Sequence, residues 1–214
     1  MSQQEILIGD LISRYAAGER DFSNVIIKTP GFQETWSWEP GHFKGLDLSG
    51  IILRDSNIQW IKTYMGGVIL RGADLTNVDL GESNFDGADL SNAILQGTDF
   101  FESVFERVNL SGADLTGANL IASEFFCANL SRVKLNKVRI RRLGFTCTNL
   151  TEATFNGANL EDVSFEEARL IRTDFRGADF GSDDGSIFGV KFRDCSFEDT
   201  LMPDGSIRGN GCRE

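Results

Sequence analysis

A five-residue period runs without a gap through residues 68–182 and constrains the fold more than any other feature. Every fifth residue from Leu70 to Phe180 is large and apolar, and these 23 positions hold 13 Leu, nine Phe and Ile140. The residue two places earlier is usually small or β-branched, and Asp or Asn directly precedes the large residue in 13 of the 23 units. A period of five fits neither a helix nor a plain strand, so each unit must turn the chain through a fixed angle, as in a solenoid.

Residues of one type also recur every 20 positions, and this slower period fixes the angle. One series consists of Phe85, Phe105, Phe125, Phe145 and Phe165, and a second runs in the same way from Leu70 to Leu170. Four units per coil mean about 90° per unit and a square cross-section, with equivalent residues stacked about 4.8 Å apart as in neighbouring strands. The sequence therefore predicts an all-β solenoid with columns of Phe and Leu inside.

The units that carry this period resemble a known repeat. Residues 73–75, 88–90, 113–115, 118–120 and 158–160 read ADL or ANL, the start of the A(D/N)LXX signature of the pentapeptide-repeat family. The resemblance implies a right-handed quadrilateral β-helix. The segment YAAGERDF at residues 15–22 also resembles the start of many cyanobacterial members of that family.

The chain divides into three parts. Residues 1–21 are predicted to be an N-terminal capping helix over the strand edges of the first coil, because Ser2 and Glu5 form a capping box and Gly18 is a helix stop near residue 17. The β-helix is expected at 22–202, with its regular core at 68–182. Residues 203–214 contain little apolar surface and are expected to form a flexible tail.

Three insertions are expected in the β-helix, near residues 28–42, 59–67 and 181–186. Twelve residues instead of ten separate Ile58 from Leu70, and twelve again separate Phe180 from Phe192, so two extra residues are predicted at each place. After the last insertion, Ile187, Phe192, Phe197 and Met202 are predicted to point inward.

The first insertion holds Trp36, Trp38 and the single histidine, His42. Two tryptophans in a loop either pack back on the solenoid or recognise a partner. His42 has no neighbouring Cys or carboxylate cluster, so we do not expect it to bind a metal.

Charge is distributed unevenly along a chain whose net charge is −11. Residues 72–131 carry ten acids and one base, whereas residues 132–142 carry six bases and no acid. The 20-residue register places four of these bases one coil from an acid, which predicts the ion pairs Arg132–Glu152, Lys134–Asp114, Arg141–Glu161 and Arg142–Asp162. The basic run is therefore interpreted as an internally paired belt, with an anionic partner as the alternative.

The acidic coils are less well compensated in the same register. Like charges are predicted to stack at Asp79 and Asp99, at Glu82 and Glu102, and at Asp86 and Glu106, with Phe101 and Ile121 pointing outward beside them. A solvated surface would explain this pattern. The alternatives are a surface for a basic partner protein and a weak divalent-cation site built from oxygen ligands.

The sequence indicates no catalytic chemistry and no cofactor. It contains one His, no CxxC motif and no phosphate-binding Gly loop. Cys127 and Cys147 are predicted to stack outside the solenoid as free thiols, with Cys195 at a small inward position. No long apolar run and no basic region followed by an apolar stretch is present, so we expect a cytoplasmic protein that neither spans nor contacts a membrane.

These features favour a non-catalytic structural or protein-interaction module that does not bind nucleic acid directly. An alternative follows from the family resemblance, since some members mimic the shape and charge of B-DNA and occupy type II topoisomerases. The acidic coils agree with mimicry, whereas the basic run would interrupt the negative surface.

Overall fold

The structure is a computed structural model, which describes residues 3–28, 43–58, 64–181 and 189–209. The tryptophan-containing insertion with His42, together with Ser2, Trp60, Ile187 and Cys212, lies outside the described residues. The expectations for these positions therefore stay predictions.

The N-terminal segment combines a strand with a short helix. Strand β1 (Gln4–Leu7) pairs in parallel with β2 (Val25–Lys28), and helix α1 (Ile8–Ala16) follows β1 directly. The expected helix start near residue 2 is wrong, because residues 4–7 instead hydrogen-bond along the edge of β2. In α1 the N-cap is Leu7, without a side-chain cap, and Leu11 is fully buried against the first coil.

The 20-residue register holds through the regular core. Parallel bridges join residues 20 apart from Tyr64–Asn84 to Asn159–Asp179. The strands β4 (Val104–Glu106), β5 (Glu124–Phe126), β6 (Leu143–Thr146) and β7 (Val163–Ser164) form one parallel sheet in this register. The fold is the predicted right-handed quadrilateral β-helix.

Four faces result from this register, and each is named here by its central inward residues. Face 1 contains Leu80, Phe100, Leu120, Ile140 and Leu160. Face 2 contains Phe85, Phe105, Phe125, Phe145 and Phe165. Face 3 contains Leu90, Leu110, Leu130, Leu150 and Leu170. Face 4 contains Leu75, Leu95, Leu115, Leu135 and Phe155.

The register around strand β3 is two residues longer than in the regular core. Strand β3 (Asn57–Ile58) pairs with β2, and Asn57 bridges Asp79 on the next coil, 22 residues later. The bridge from Asp47 to Ile69 has the same offset.

The C-terminal insertion is longer than predicted. Strand β8 (Arg169–Ile171) pairs with β9 (Ser196–Glu198) at an offset of 27 residues, so the last coil contains seven extra residues. Phe192 consequently stacks on Phe165, with ring centroids 5.2 Å apart, one face earlier than a two-residue insertion would place it. This register extends the phenylalanine column of face 2 by one more ring.

Residues 203–209 are not the loose tail that the sequence suggested. Strand β10 (Thr200–Leu201) pairs antiparallel with β11 (Ile207–Arg208) through a turn in which the Asp204 carboxylate accepts the Ser206 N–H. The Arg208 guanidinium lies 4.1 Å from the ring centroid of Phe197 and covers the end of the core. Residues 210–214 are outside the described part.

Small polar side chains complete the interior. Thr98, Ser103, Ser123 and Thr173 are buried, and each hydroxyl donates to a backbone carbonyl oxygen 23 residues earlier, at distances of 2.8–3.0 Å. Each of these four hydroxyls thereby has a partner inside an otherwise apolar core.

Candidate functional site

The predicted surface residues lie around the corner between faces 1 and 2. The chain turns there at Glu82, Glu102, Ala122 and Arg142, whose φ angles are 53°, 54°, 59° and 55°. This left-handed conformation ends each unit and directs the next one onto face 2.

Aspartates at this corner stabilise the turn itself. Oδ1 of Asp79 accepts the Gly81 N–H at 3.1 Å, and Oδ1 of Asp99 accepts the Phe101 N–H at 2.9 Å. Asn119 also donates its side-chain amide to Oδ1 of Asp99 at 2.9 Å. The Asp or Asn before the large residue thus caps its own turn, which explains its frequency without reference to a ligand.

The register brings six of the eight predicted site residues together. Asp79 bridges Asp99 on the next coil, and the Glu82 N–H donates to the Phe101 carbonyl at 2.6 Å. The Glu102 N–H donates to the Ile121 carbonyl at 3.0 Å. The like-charge stacks of Asp79 with Asp99 and of Glu82 with Glu102 therefore lie side by side.

The third predicted like-charge pair is compensated by a cation. Arg107 contacts Asp86 at 2.8 Å and Glu106 at 2.8 Å. The expectation of an uncompensated pair is wrong at this place, because Arg107 follows Glu106 directly and reaches the carboxylate of the preceding coil. Asp86 and Glu106 extend the surface onto face 2, where Arg107 reduces their negative charge.

Apolar side chains are exposed beside these carboxylates. Phe101 is 39% exposed and Phe126, on face 2, is 51% exposed, whereas Ile121 is half-buried. We call Asp79, Glu82, Asp86, Asp99, Phe101, Glu102, Glu106 and Ile121 the acidic corner.

The basic residues at 132–142 are less paired than predicted. Arg132 contacts Glu152 at 2.9 Å and Lys134 contacts Asp114 at 3.2 Å, as expected. No ion pair within 4.0 Å joins Arg141 to Glu161 or Arg142 to Asp162, although all four residues are in the described part. Both arginines are exposed, and Arg142 is the left-handed residue at the corner turn.

Asp114 is the carboxylate most strongly tied into the surface network. Burial raises its pKa, but hydrogen bonds from Thr116, Gln96 and Lys134 outweigh burial and lower the pKa to about 2. Asp74 and Asp89 also have lowered pKa values, because hydrogen bonds and arginine partners outweigh their burial. These carboxylates are on faces 3 and 4, and their interactions are structural.

The two outward cysteines stack as predicted and are free thiols. Cys127 and Cys147 occupy equivalent turn positions, with the Cys127 N–H donating to the Thr146 carbonyl at 3.0 Å. The hydrogen bond with Cys147, and then burial, raise the pKa of the Cys127 thiol to about 11. Cys195 is buried at a small inward position, which confirms its predicted place.

The structure places no further binding chemistry among the residues that it describes. No group of three or more His, Cys, Asp or Glu in them could hold a metal ion, and no helix there is long and apolar enough to cross a membrane. A cavity of about 10 Å³ lies within the first regular coils and has an entirely apolar lining of Phe43, Leu48, Leu53, Met65, Val68, Leu70, Leu75 and Leu80.

Comparison with known proteins identifies one family. The family model for pentapeptide repeats matches residues 69–107, 103–142 and 145–181, which together make up just over half of the chain, with eight copies. No curated protein matches the chain.

Three solved structures are similar in part. HetL, a pentapeptide repeat protein involved in heterocyst differentiation regulation in the cyanobacterium Nostoc sp. strain PCC 7120, is 20% identical over 95% of this chain and 100% of its own, with a TM-score of 0.37. QnrB1, a plasmid-mediated fluoroquinolone resistance protein, is 16% identical over 75% of this chain and 86% of its own, with a TM-score of 0.40. A pentapeptide repeat protein from the Arabidopsis thaliana thylakoid lumen is 27% identical over 51% of this chain and 72% of its own, with a TM-score of 0.32.

Proposed function

The chain belongs to the pentapeptide-repeat family, and from this premise we propose that it is a non-catalytic interaction module whose acidic corner binds another protein. The observation that carries the proposal is the position of Phe101, 39% exposed, directly beside the Asp99 and Glu102 carboxylates. An exposed aromatic ring among charged groups is typical of protein-binding surfaces.

The scaffold supports this use because it holds the corner rigidly. Asp99 accepts two hydrogen bonds through Oδ1, and the Glu102 N–H donates to the next coil, so the backbone of the corner is fixed on both sides. A partner that binds a preorganised surface loses less conformational entropy in ordering it.

The charge of the corner indicates the kind of partner. Asp79 stacks on Asp99 beside the exposed Glu102 carboxylate, and stacked like charges destabilise a sheet slightly. A basic segment of a partner would relieve that repulsion and would be attracted at long range. We therefore propose a protein partner with a basic contact surface, and no cofactor.

The test is a pull-down from the source cell with a corner variant that keeps the turns intact. This variant combines Glu82→Lys and Glu102→Lys with Asp79→Asn and Asp99→Asn, because Asn retains the oxygen that caps each turn. The matched control carries two Glu→Lys and two Asp→Asn changes elsewhere, at Glu167, Glu198, Asp194 and Asp199.

A partner that wild type and control capture, and the corner variant does not, would support the proposal and locate the surface. If no protein is captured, or if the corner variant captures the same protein as wild type, the corner is a solvated surface and the proposal is wrong.

The acidic coils at 72–131 favour a second function, mimicry of DNA towards a type II topoisomerase. Arg141 and Arg142 count against it, because they are exposed, form no ion pair within the described residues and interrupt the negative surface. Replacing both with Glu would extend the negative surface and should strengthen inhibition of DNA supercoiling. Mimicry is excluded if neither wild type nor this variant inhibits supercoiling.

A further inference from the structure

Face 1 changes the sign of its charge along the solenoid axis. The bridged column beside its centre reads Asp79, Asp99, Asn119 and Arg139 on successive coils. The turn column at the adjoining corner reads Glu82, Glu102, Ala122 and Arg142 in the same order. In both columns a neutral residue separates the acidic coils from the basic one.

On face 1 and its corner, three cations of the basic coil have no ion-pair partner among the described residues. Arg139, Arg141 and Arg142 are exposed, and no ion pair within 4.0 Å involves them in the described part of the chain. We call these three residues the basic row. The row lies two coils from Asp99, Phe101 and Glu102, which occupy the equivalent positions on face 1 and its corner.

This arrangement is complementary to itself. A two-fold axis that lies in the plane of face 1, along the coil of Asn119 and Ile121 and perpendicular to the solenoid axis, exchanges the coil of residues 99–102 with that of residues 139–142. Two antiparallel copies then bring Asp99 opposite Arg139 of the partner subunit and Glu102 opposite Arg142 of the partner subunit. Such an isologous contact forms every pair twice.

We propose that the acidic corner binds the basic row of a second copy of this chain and forms this antiparallel, face-to-face dimer. The inference rests on the proposed function, since it names the partner that the acidic corner takes.

The carboxylates are available for this contact. Both hydrogen bonds to Asp99 end on Oδ1, and Glu102 is exposed and in no ion pair within the described residues. Dimer formation therefore adds four intersubunit ion pairs and breaks none within a subunit. Phe101 lies opposite Arg141 of the partner subunit, where a guanidinium can rest on the exposed ring.

An apolar contact at the axis completes the interface. Ile121 lies between the two charged coils, in the column of Phe101 and Arg141, and meets its own copy across the two-fold axis. Charge complementarity fixes the antiparallel orientation, and the isoleucines supply dry contact area at the centre.

The match ends one coil further out and limits the affinity. Glu82 lies opposite Asp162 of the partner subunit, so only three coils on each copy are complementary. Three coils extend over roughly 10–15 Å of the axis. A contact of this size is at the low end for specific interfaces, so we expect a micromolar dimer that weakens as salt rises.

The test is sedimentation velocity on the full chain over about 1–300 µM, a range suited to a weak interface. Wild type should shift from monomer to dimer with concentration and return to monomer at about 1 M salt, where the Debye length is about 3 Å. Glu102→Arg and Arg142→Glu should each raise the dissociation constant about tenfold or more, because each places like charges opposite each other twice per dimer.

Mixing the two single variants provides the decisive result. The Glu102→Arg chain and the Arg142→Glu chain are each self-repelling, but together they restore opposite charges in both contacts and should form a heterodimer. The double variant in one chain should dimerise like wild type. The control Glu167→Arg changes an exposed, left-handed turn residue at another corner and should have no effect.

A wild type that stays monomeric throughout, or a dimer that ignores both charge reversals, would overturn the inference. The circular dichroism melting curve of each variant confirms that it is folded. Failure here is distinguishable from failure of the proposed function, because the pull-down can still yield a different protein that requires the acidic corner.

Discussion

Phe105 and Phe125 lie ring on ring, with their centroids 4.6 Å apart and their planes 6° from parallel. The two residues are 20 positions apart on adjacent, paired strands, β4 and β5. Strand spacing of about 4.8 Å is close to the stacking distance of aromatic rings, so the backbone register and the ring contacts stabilise the same arrangement. Because the two distances agree, the same ring stacking can repeat from coil to coil along the core.

Phe125→Asp should unfold the middle coils, because it places a carboxylate without a partner inside the phenylalanine column. Phe125 is 2% exposed, and a buried unpaired charge costs several kcal/mol. Thermal unfolding followed by circular dichroism should show a large loss of stability.

The matched control is Phe126→Asp, one residue further along the same strand. Phe126 is 51% exposed, so the same chemical change should alter the free energy of unfolding by no more than about 0.5 kcal/mol. Equal effects at both positions would contradict the inward and outward assignment of β5.

Leu11→Ala should loosen the N-terminal cap. The Leu11 side chain is fully buried between α1 and the first coil, and removing a buried leucine side chain beyond Cβ costs about 2–5 kcal/mol. Loss of the cap exposes the outer strand edge of β2, which favours aggregation. Light scattering during heating should rise at lower temperature than in wild type.

The control for the cap is Leu7→Ala, at a residue that is 45% exposed. It should leave the scattering curve nearly unchanged. If Leu11→Ala behaves in the same way, the helix contributes nothing to the protection of the first coil.

Asp114 should make the protein sensitive to acid. Its pKa is lowered from 3.8 to about 2 in the folded protein, since hydrogen bonds from Thr116, Gln96 and Lys134 outweigh the effect of burial. A carboxyl group with a lowered folded-state pKa stabilises the fold above its unfolded pKa. That contribution, about 2 kcal/mol, is lost as pH falls from about 4 towards 2.

Asp114→Asn isolates this effect. Asn keeps the oxygen that accepts the Thr116 hydrogen bonds, as Asn does in equivalent units, but it cannot titrate. Urea unfolding at pH 7 and near pH 2.5 should show a smaller loss of stability for the variant than for wild type. If the variant and wild type lose the same stability between the two pH values, the pKa of Asp114 is not lowered in the folded state.

The sequence predicted the core of this fold well because one geometric rule generates it. The periods of five and 20 determine which residues point inward, and the partners of Phe125 above and below follow directly from that rule. The repeat rule does not determine how many residues an insertion contains. Val190 and Phe192, which follow Phe180 by ten and twelve residues, fit either a short or a long insertion. The longer one is favoured because Phe192 then stacks on Phe165.

The acidic corner was predicted in position but not in charge balance. Stacking in the register places Asp79 above Asp99, which the sequence shows. The sequence does not show that Arg107 forms an ion pair with Asp86. Nor does it show that Arg141 and Arg142 form no ion pair with their predicted partners, Glu161 and Asp162. Such outcomes depend on the direction of long side chains at a left-handed turn, which has no counterpart in the repeat pattern.

Cys127 should react far more slowly than Cys147 with iodoacetamide at pH 8. Its pKa is raised to about 11 by the hydrogen bond with Cys147 and by burial, so roughly 0.1% of it is the reactive thiolate. Cys147 is exposed, and Cys195 is buried. Peptide mass spectrometry on a Cys212→Ser background should therefore detect label at Cys147 first. Cys147→Ala removes the largest cause of the raised pKa and should speed labelling of Cys127 more than tenfold; unchanged labelling would show that the two thiols do not interact.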